Sequence, residues 1–403
     1  MFGLCLPLAR ASTIEVDDDL GEAPEASYTS IQEAINASNP QDTILVYPGV
    51  YQEALTIDKQ LNITTVENHT TTEIRAPLGE QTIIYIQSSN VTIKGFTIKG
   101  AFPWECTGIM SSDHYYLEVS NNKIIDCLNG LNLQSNDYSI IANNTLQYNQ
   151  EYGAYIEHSD NIEIIDNAFI ENKNGLYTYY SQNIKLFKNN IINNDNYGLN
   201  MRNCNNGTTN NNNINNNEYG VRIHTWSENY VNIYELNHIT NNTYGIVVNS
   251  EVRTNIINNT LIDNNYALSF YNSNNNLIEN NTLNNNIYGI YSDDTTNNNY
   301  IENRFNENTY NLRIYGSSAS SYAQKFTNNT VNNRTITYLV SQSNKVIITD
   351  SAFIGLINCF NITVKGAKVE NNYDGVLVAY SQNCTIENTT TTNTYNGIKL
   401  ISS

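Results

Sequence analysis

"YGAYIEHSDNIEIIDNAFIENKNGLYTYYSQNIKLFKNNIINNDNYGLNM", residues 152 to 201, states one pattern twice and begins it a third time. Gly153, Gly175 and Gly198 each follow Tyr or Asn and precede alternating apolar and polar letters. Outward from this stretch the same anchor recurs at Gly108 and Gly130, then at Gly220, Gly245, Ala267, Gly289 and Asn311. The spacing is 22 or 23 residues, with one of 25 ending at Gly245. After an interruption it resumes at Gly375 and Gly397. A fixed period in this range marks a repeat architecture, in which each unit buries its apolar face only against its neighbours.

After each anchor, apolar residues alternate with polar ones, as in Val221 and Ile223, and a second short run such as "NIEIID" or "NIKLFKN" follows. Period-two alternation bounded by Asn and Gly reads as short strands, and strong helix formers are too sparse to compete. Strands that return to the same phase in every repeat describe the coils of an all-β, single-stranded, right-handed parallel β-helix, because parallel crossovers are right-handed almost without exception.

The stretch "YGIYSDDTTNNNYIENRFNEN", residues 288 to 308, shows why Asn is so abundant. Sharp turns join the strands, and Asn tolerates left-handed geometry while bonding nearby backbone. Asn122, Asn144, Asn167, Asn189, Asn212, Asn259, Asn281 and Asn303 each fall fourteen residues after an anchor. In-register stacking piles them into a column able to exchange amide hydrogen bonds. In the same stretch, Asp293 and Asp294 are adjacent at a strand end, where side chains point to opposite faces. They read as turn residues, not as a catalytic pair.

The composition agrees. Of 403 residues only 15% are charged, 30 are Tyr, and the formal charge is −19. An acidic surface repels phosphate backbones, which argues against nucleic acid as a partner. No apolar run reaches the ~20 residues of a membrane span. Residues 1–12, "MFGLCLPLARAS", read as a truncated signal peptide or disordered leader, with Ala9-Arg10-Ala11 fitting a small-x-small cleavage site. Of the cysteines, Cys106 and Cys127 alone approach each other if successive repeats stack, and no metal or disulfide framework is implied by the spacings.

Residues 13–100 read as an N-terminal cap and first coils, 101–315 as the regular repeats. Residues 316–403 continue the β-helix after a loop insertion over 316–340. "SIQEAINA", residues 30 to 37, is an amphipathic helix with Ser30 as N-cap and Glu33 three residues on, suited to lidding the first coil against edge-to-edge aggregation. "YNGIKLISS" stops midway through a repeat, which suggests a segment of a longer protein.

"TIEVDDDLGEAPEASYTSIQEAINASNPQDTILVYPGVYQEALTIDKQLNIT" resembles the opening of the pectin-lyase-like β-helix superfamily. "NNTLQYNQEYGAYI" and "NNTLNNNIYGIY" resemble NosD-type repeats of the CASH (carbohydrate-binding and sugar hydrolase) group. The resemblance covers residues 13 to 403. It implies the fold strongly and activity weakly, since the superfamily holds lyases, epimerases, hydrolases and inert surface proteins.

Chemistry is harder to find. Asp113 and His158 share one column with Ser135 between, two coils or ~10 Å apart, too far for direct hydrogen bonding. "SSDHYY", with Asp113 and His114, is a faint echo of an epimerase signature and reads as a turn. Copper is associated with NosD itself, but copper sites need clustered His, Met or Cys, and here they are isolated. No cofactor is expected, calcium being the one cation an acidic chain of this superfamily admits. Positions two and four after each anchor point outward. They supply the glycan-binding candidates Tyr155, Glu157, Tyr177, Tyr179, Arg202, Arg222, His224 and Tyr291. Flat rings interleaved with hydrogen-bonding groups at ~4.8 Å steps suit an extended glycan.

The expected function is that of a secreted or cell-surface structural and interaction protein, extracellular or envelope-associated. Polysaccharide, envelope glycan or other envelope proteins are its partners, and it carries out no catalysis. The alternative is a polysaccharide lyase, epimerase or glycoside hydrolase. Sequons occur at Asn62, Asn68, Asn90, Asn143, Asn206, Asn258, Asn280, Asn333, Asn361 and Asn388, and export from a glycosylating cell exposes them to modification.

Overall fold

A computed structural model describes residues 11–100, 106–225, 231–250 and 253–403. The leader expected over residues 1–12 therefore lies, apart from Ala11 and Ser12, outside the described residues. The chain forms two compact units, Met1–Asn172 and Lys173–Ser403, and each is a parallel β-helix.

In the N-terminal unit the helix spans Ile31–Ala37, and Ser30 Oγ accepts the Glu33 N–H at 3.3 Å. The carboxylate on its first turn comes from downstream: Glu53 accepts from the N–H groups of Ile31 and Gln32, both at 2.9 Å. At the other end Lys59 Nζ donates to Ile35 O at 3.0 Å. Opposite charges thus sit at the two ends as the helix dipole favours. Ile31, Ala34 and Ile35 are buried against the strands Thr13–Val16, Thr43–Val46 and Leu55–Ile57. The lid is where its amphipathic pattern puts it.

Below the lid each coil contributes one strand to each of three parallel sheets. In successive coils Glu118 pairs with Ile140 and then Glu163; Lys123 with Thr145 and then Ala168; Thr107 with Asn129 and then Tyr152. Alternate residues face inward, so Ile124, Leu146 and Phe169 pile into one fully buried column and Ile109, Leu131 and Ala154 into another. The anchor glycines mark a close approach. A Cβ built on Gly175 would lie 2.6 Å from the carbonyl oxygen of Gly198 in the next coil.

Asparagine divides into two classes. In the N-terminal unit, Asn122 N–H and Nδ2 both donate to Asn144 Oδ1, at 3.0 and 3.2 Å, and Asn144 repeats this onto Asn167. The C-terminal unit carries the ladder through Asn189, Asn212, Asn237, Asn259, Asn281, Asn303 and Asn329. These side chains are buried, and none of them is left-handed. The residue just before takes that conformation: Asn143 at φ 56°, Asn211 at 56°, Asn258 at 56°, Asn280 at 52°. In an Asn-Asn pair the first makes the turn and can reach the turn of the neighbouring coil at the surface, as Asn280 Nδ2 does to Asn258 Oδ1 at 2.6 Å, while the second carries the buried ladder. Asn237 joins in place of Tyr234 because its coil carries three extra residues. A second ladder, unanticipated, joins Asn149 to Asn172 in the N-terminal unit and, in the C-terminal unit, runs through Asn194, Asn217, Asn242, Asn264, Asn286 and Asn308.

The insertion over 316–340 is ordered. It holds the short helix Ala319–Tyr322 and then a two-residue hairpin at Asn332 and Asn333, φ 47° and 64°. Two consecutive positive φ values are the signature of a tight hairpin turn. The strand that leaves it, Arg334–Val340, runs antiparallel to Thr330–Val331 and parallel to Phe353–Ile357, Asp374–Ala379 and Asn396–Ile401. The last coils therefore form a second parallel stack, reversed through that hairpin, around Ile354, Leu356, Ile362, Val364, Val376 and Val378.

Candidate functional site

The outward face of one sheet of the C-terminal unit gathers the aromatic and basic residues. Its strands are Asn174–Tyr179, Tyr197–Arg202, Tyr219–His224, Tyr244–Asn249, Tyr266–Tyr271, Tyr288–Asp293 and Tyr310–Tyr315. Tyr177 pairs with Asn200 and then Arg222, and one step along the strands Tyr179 pairs with Arg202 and then His224. Pleating turns these alternate positions outward. Tyr177, Tyr197, Asn200, Arg202, Arg222 and His224 line a cavity of about 300 Å³. An adjoining cavity of about 280 Å³ is lined by Tyr219, Arg222, Tyr244, Val247, Asn249 and Tyr271. Arg222 belongs to both.

Aromatic rings and hydrogen bonds hold the cations in place. Arg222 Nη1 donates to the Tyr197 hydroxyl at 2.6 Å, and its guanidinium lies 5.4 and 6.0 Å from the ring centres of Tyr197 and Tyr219. Arg202 lies 5.6 Å from the ring of Tyr179. These are cation–π distances. Burial, followed by the charges of Arg202 and Arg222, pushes His224 below the ordinary histidine value, so the imidazole is neutral at pH 7. Among the described residues, those lining the two cavities include no carboxylate.

Of the residues picked from sequence, Tyr177, Arg202, Arg222 and His224 line one cavity, and Tyr179 stands beside it under Arg202. Tyr291 lies three strands farther on, where Arg313 sits between it and Tyr373 at 4.7 and 4.3 Å from the ring centres. Tyr155 and Glu157 belong to the N-terminal unit, where the Tyr155 hydroxyl donates to Glu157 Oε2 at 3.1 Å.

Sequence reasoning missed the tyrosines that precede the anchors. Tyr197, Tyr219, Tyr244, Tyr266, Tyr288 and Tyr310 form a column with ring centres 4.6 to 5.3 Å apart, stacked from Tyr219 to Tyr288 and tilted at the Tyr197 and Tyr310 ends. The column continues through Tyr373 and Tyr395 at 5.7 and 4.7 Å. The signal was the repeated Tyr-Gly dipeptide itself.

The other candidates are structural. Asp113, Ser135 and His158 all take left-handed turns, φ 63°, 54° and 48°. Asp294, at φ 47°, accepts from Ser317 N–H at 2.6 Å and from the hydroxyls of Ser317 and Ser321 at 2.9 and 3.0 Å, which hold its carboxyl below the usual range. Burial, with Asp294 next to it, pushes Asp293 up. Asp17, Asp19 and Glu22 converge within 4.8 Å. There Asp17 Oδ2 accepts from Ala23 N–H at 2.6 Å and Asp19 Oδ1 from Gly21 N–H at 2.8 Å, so these carboxylates shape a turn.

Residues 81–233 match the family model of a right handed beta helix region, and residues 173–339 match that of the periplasmic copper-binding protein NosD. A cell surface glycoprotein of Methanothermus fervidus is 27% identical over 164 residues, covering 32% of this chain and 26% of that protein. The chain thus spans about a quarter of that relative's length. The DFA-IIIase of Arthrobacter chlorophenolicus, in complex with DFA-III, superposes with a TM-score of 0.51 at 13% identity, over 80% of this chain and 95% of that one. The same enzyme without its lid gives 0.50 at 14% identity, with the same coverage. At these identities the likeness is one of fold. Among the described residues, the one group of three or more His, Cys, Asp and Glu side chains that converges is the Asp17, Asp19, Glu22 turn; it is all oxygen and does not fit copper, which favours nitrogen and sulfur donors.

Proposed function

This chain belongs to the NosD-type right-handed β-helix proteins, and from that premise we propose that it is a cell-surface or envelope β-helical protein that binds an extended glycan. The observation that carries the glycan reading is the pair of adjoining cavities sharing Arg222 and lined by tyrosines together with Asn200 and Asn249. Ring faces stack on sugars, while guanidinium and amide groups hydrogen-bond hydroxyls. A site that follows the stacking direction suits a polymer running across successive coils. The surface location is supported by the archaeal surface relative and the periplasmic family model.

The test is a glycan array followed by titration of any glycan retained. Arg222→Ala removes a charge-assisted contact and should weaken affinity about 10-fold, while Tyr155→Ala, in the other unit, should leave it unchanged. We propose that no cofactor takes part, so dialysis against EDTA should not alter binding. Equal affinity in wild type and Arg222→Ala would remove the site assigned here.

One observation favours a second reading, a polysaccharide lyase. His224, neutral between two guanidiniums, has the protonation state of a general base. Release of unsaturated product from a retained glycan, abolished in His224→Ala with melting unchanged, would establish it.

A further inference from the structure

Cys106 and Cys127 stand on successive coils of the N-terminal unit, and both are sealed from solvent, at 2% and 0% exposure. The backbone places them side by side. Leu128 N–H donates to Cys106 O at 2.8 Å, so Cys127 lies one residue off the position stacked directly on Cys106. A one-residue offset across strands ~4.8 Å apart gives a Cα separation of roughly 5.8 Å, within the window a disulfide spans. The two thiols are in hydrogen-bond contact, and glycines leave them room. A Cβ built on Gly100 would lie 3.2 Å from Cys106 Sγ, and one on Gly108 would lie 3.4 Å from Cys127 Sγ.

The place of this pair in the ladder is informative. Cys127 N–H donates to Asn149 Oδ1 at 3.2 Å, as each ladder residue donates to the next. Cys127 occupies the ladder position one coil before Asn149, but a thiol has no carboxamide with which to tie itself to the coil before. At that coil, its contact is Cys106. The Cys127 thiol also donates to the carbonyl two residues back, Ile125 O at 3.3 Å, as those of Cys204, Cys359 and Cys384 do at 3.5, 3.4 and 3.5 Å; to that shared contact Cys127 adds the thiol of Cys106.

We propose that Cys106 and Cys127 are joined by a disulfide, a covalent tie between two coils where the asparagine column ends. Its formation removes both S–H bonds and makes one S–S bond. The two protons and two electrons released pass to a disulfide oxidant, whose own S–S bond breaks to give two thiols. Burial, added to the contact with Cys106, raises the Cys127 thiol and makes native-state attack slow, so the bond forms as the coils close. An oxidising compartment is required, and in that respect the inference rests on the surface reading above.

The experiment separates the two. The full chain is refolded in a glutathione redox buffer, alkylated in denaturant without reductant and digested. The expected result is a linked peptide pair joining Cys106 to Cys127, two fewer alkylated thiols than the six in the sequence, and an intact mass lower by two hydrogens. Quantitative alkylation of both residues, or linkage of either to another cysteine, overturns the proposal, whatever the glycan array shows. The Cys106→Ser, Cys127→Ser double variant should still bind any retained glycan, since neither cysteine lines that site, while its thermal midpoint falls to that of the reduced wild type. A midpoint equal to that of the oxidised wild type also overturns it.

Discussion

At the scale of single residues, neighbouring asparagines do opposite jobs. Asn281 Oδ1 accepts from Asn259 N–H and Nδ2 at 2.9 and 3.1 Å, and its own Nδ2 donates to Ile256 O at 2.8 Å. Asn281→Ala leaves those buried groups without partners, and should cost about 3 kcal/mol, read as a fall in denaturant midpoint at constant slope. Asn280, one residue earlier, takes φ 52°, and its side chain makes only outer bonds, to Asn258 Oδ1 at 2.6 Å and from Arg304 Nη1 at 3.3 Å. Asn280→Gly should cost much less than Asn281→Ala, because glycine adopts that conformation freely and water can replace those bonds. If the two variants lose the same stability, the division of labour is wrong. His224 gives a second residue-scale prediction. Its titration by NMR should have a midpoint below 6.5. Arg202→Gln should raise that midpoint only partway, since burial is the larger cause. The sign follows: stability from the neutral imidazole is fully present above 6.5 and is lost as pH falls below it.

At the scale of elements, the strand Tyr288–Asp293 ends in a clasp. Asp294 gathers Ser317 and Ser321 and so fixes the start of the insertion. Asp294→Ala should open residues 316–322 to limited proteolysis while far-UV circular dichroism stays unchanged. Protection equal to wild type would show the clasp to be dispensable. With Asp294 held below its ordinary value of 3.8, the clasp persists above that pH and loosens as pH falls through the lowered value. Much at this scale was legible in sequence. The helix Ile31–Ala37 followed from Ser30 and the spacing of Ile31, Ala34 and Ile35. The first ladder followed from a fixed offset of fourteen residues. The second falls nineteen residues after most anchors. It stayed hidden because its members sit among turn asparagines that look identical as letters. Glu53 as partner to the helix could not be read, because that contact spans 22 residues and depends on the turn between strands. The reversal at Asn332-Asn333 was also missed, since Asn-Asn occurs at many turns here without reversing the chain.

At the scale of the whole chain, repetition joins stability to function. The register that lets one asparagine bond the next also sets tyrosines and arginines of adjacent coils side by side, so Arg222 can serve two cavities. That residues two and four after successive anchors fall side by side was legible from the anchor spacing. Which ones converge was not, because the walls are finished by Tyr197, Tyr219 and Tyr244, residues the period marks only as punctuation. In a solenoid each coil answers mainly to its neighbours, and removal of one whole coil tests this directly. Deleting residues 266–287 joins Asn265 to Tyr288 and lets Asn259 meet Asn303 and Asn264 meet Asn308 in register. The shortened protein should unfold cooperatively, with a β circular dichroism spectrum, whereas deleting only residues 266–276 should abolish folding. Equal tolerance of both deletions, or collapse of the whole-coil variant, would contradict a stack of interchangeable coils tied by asparagine.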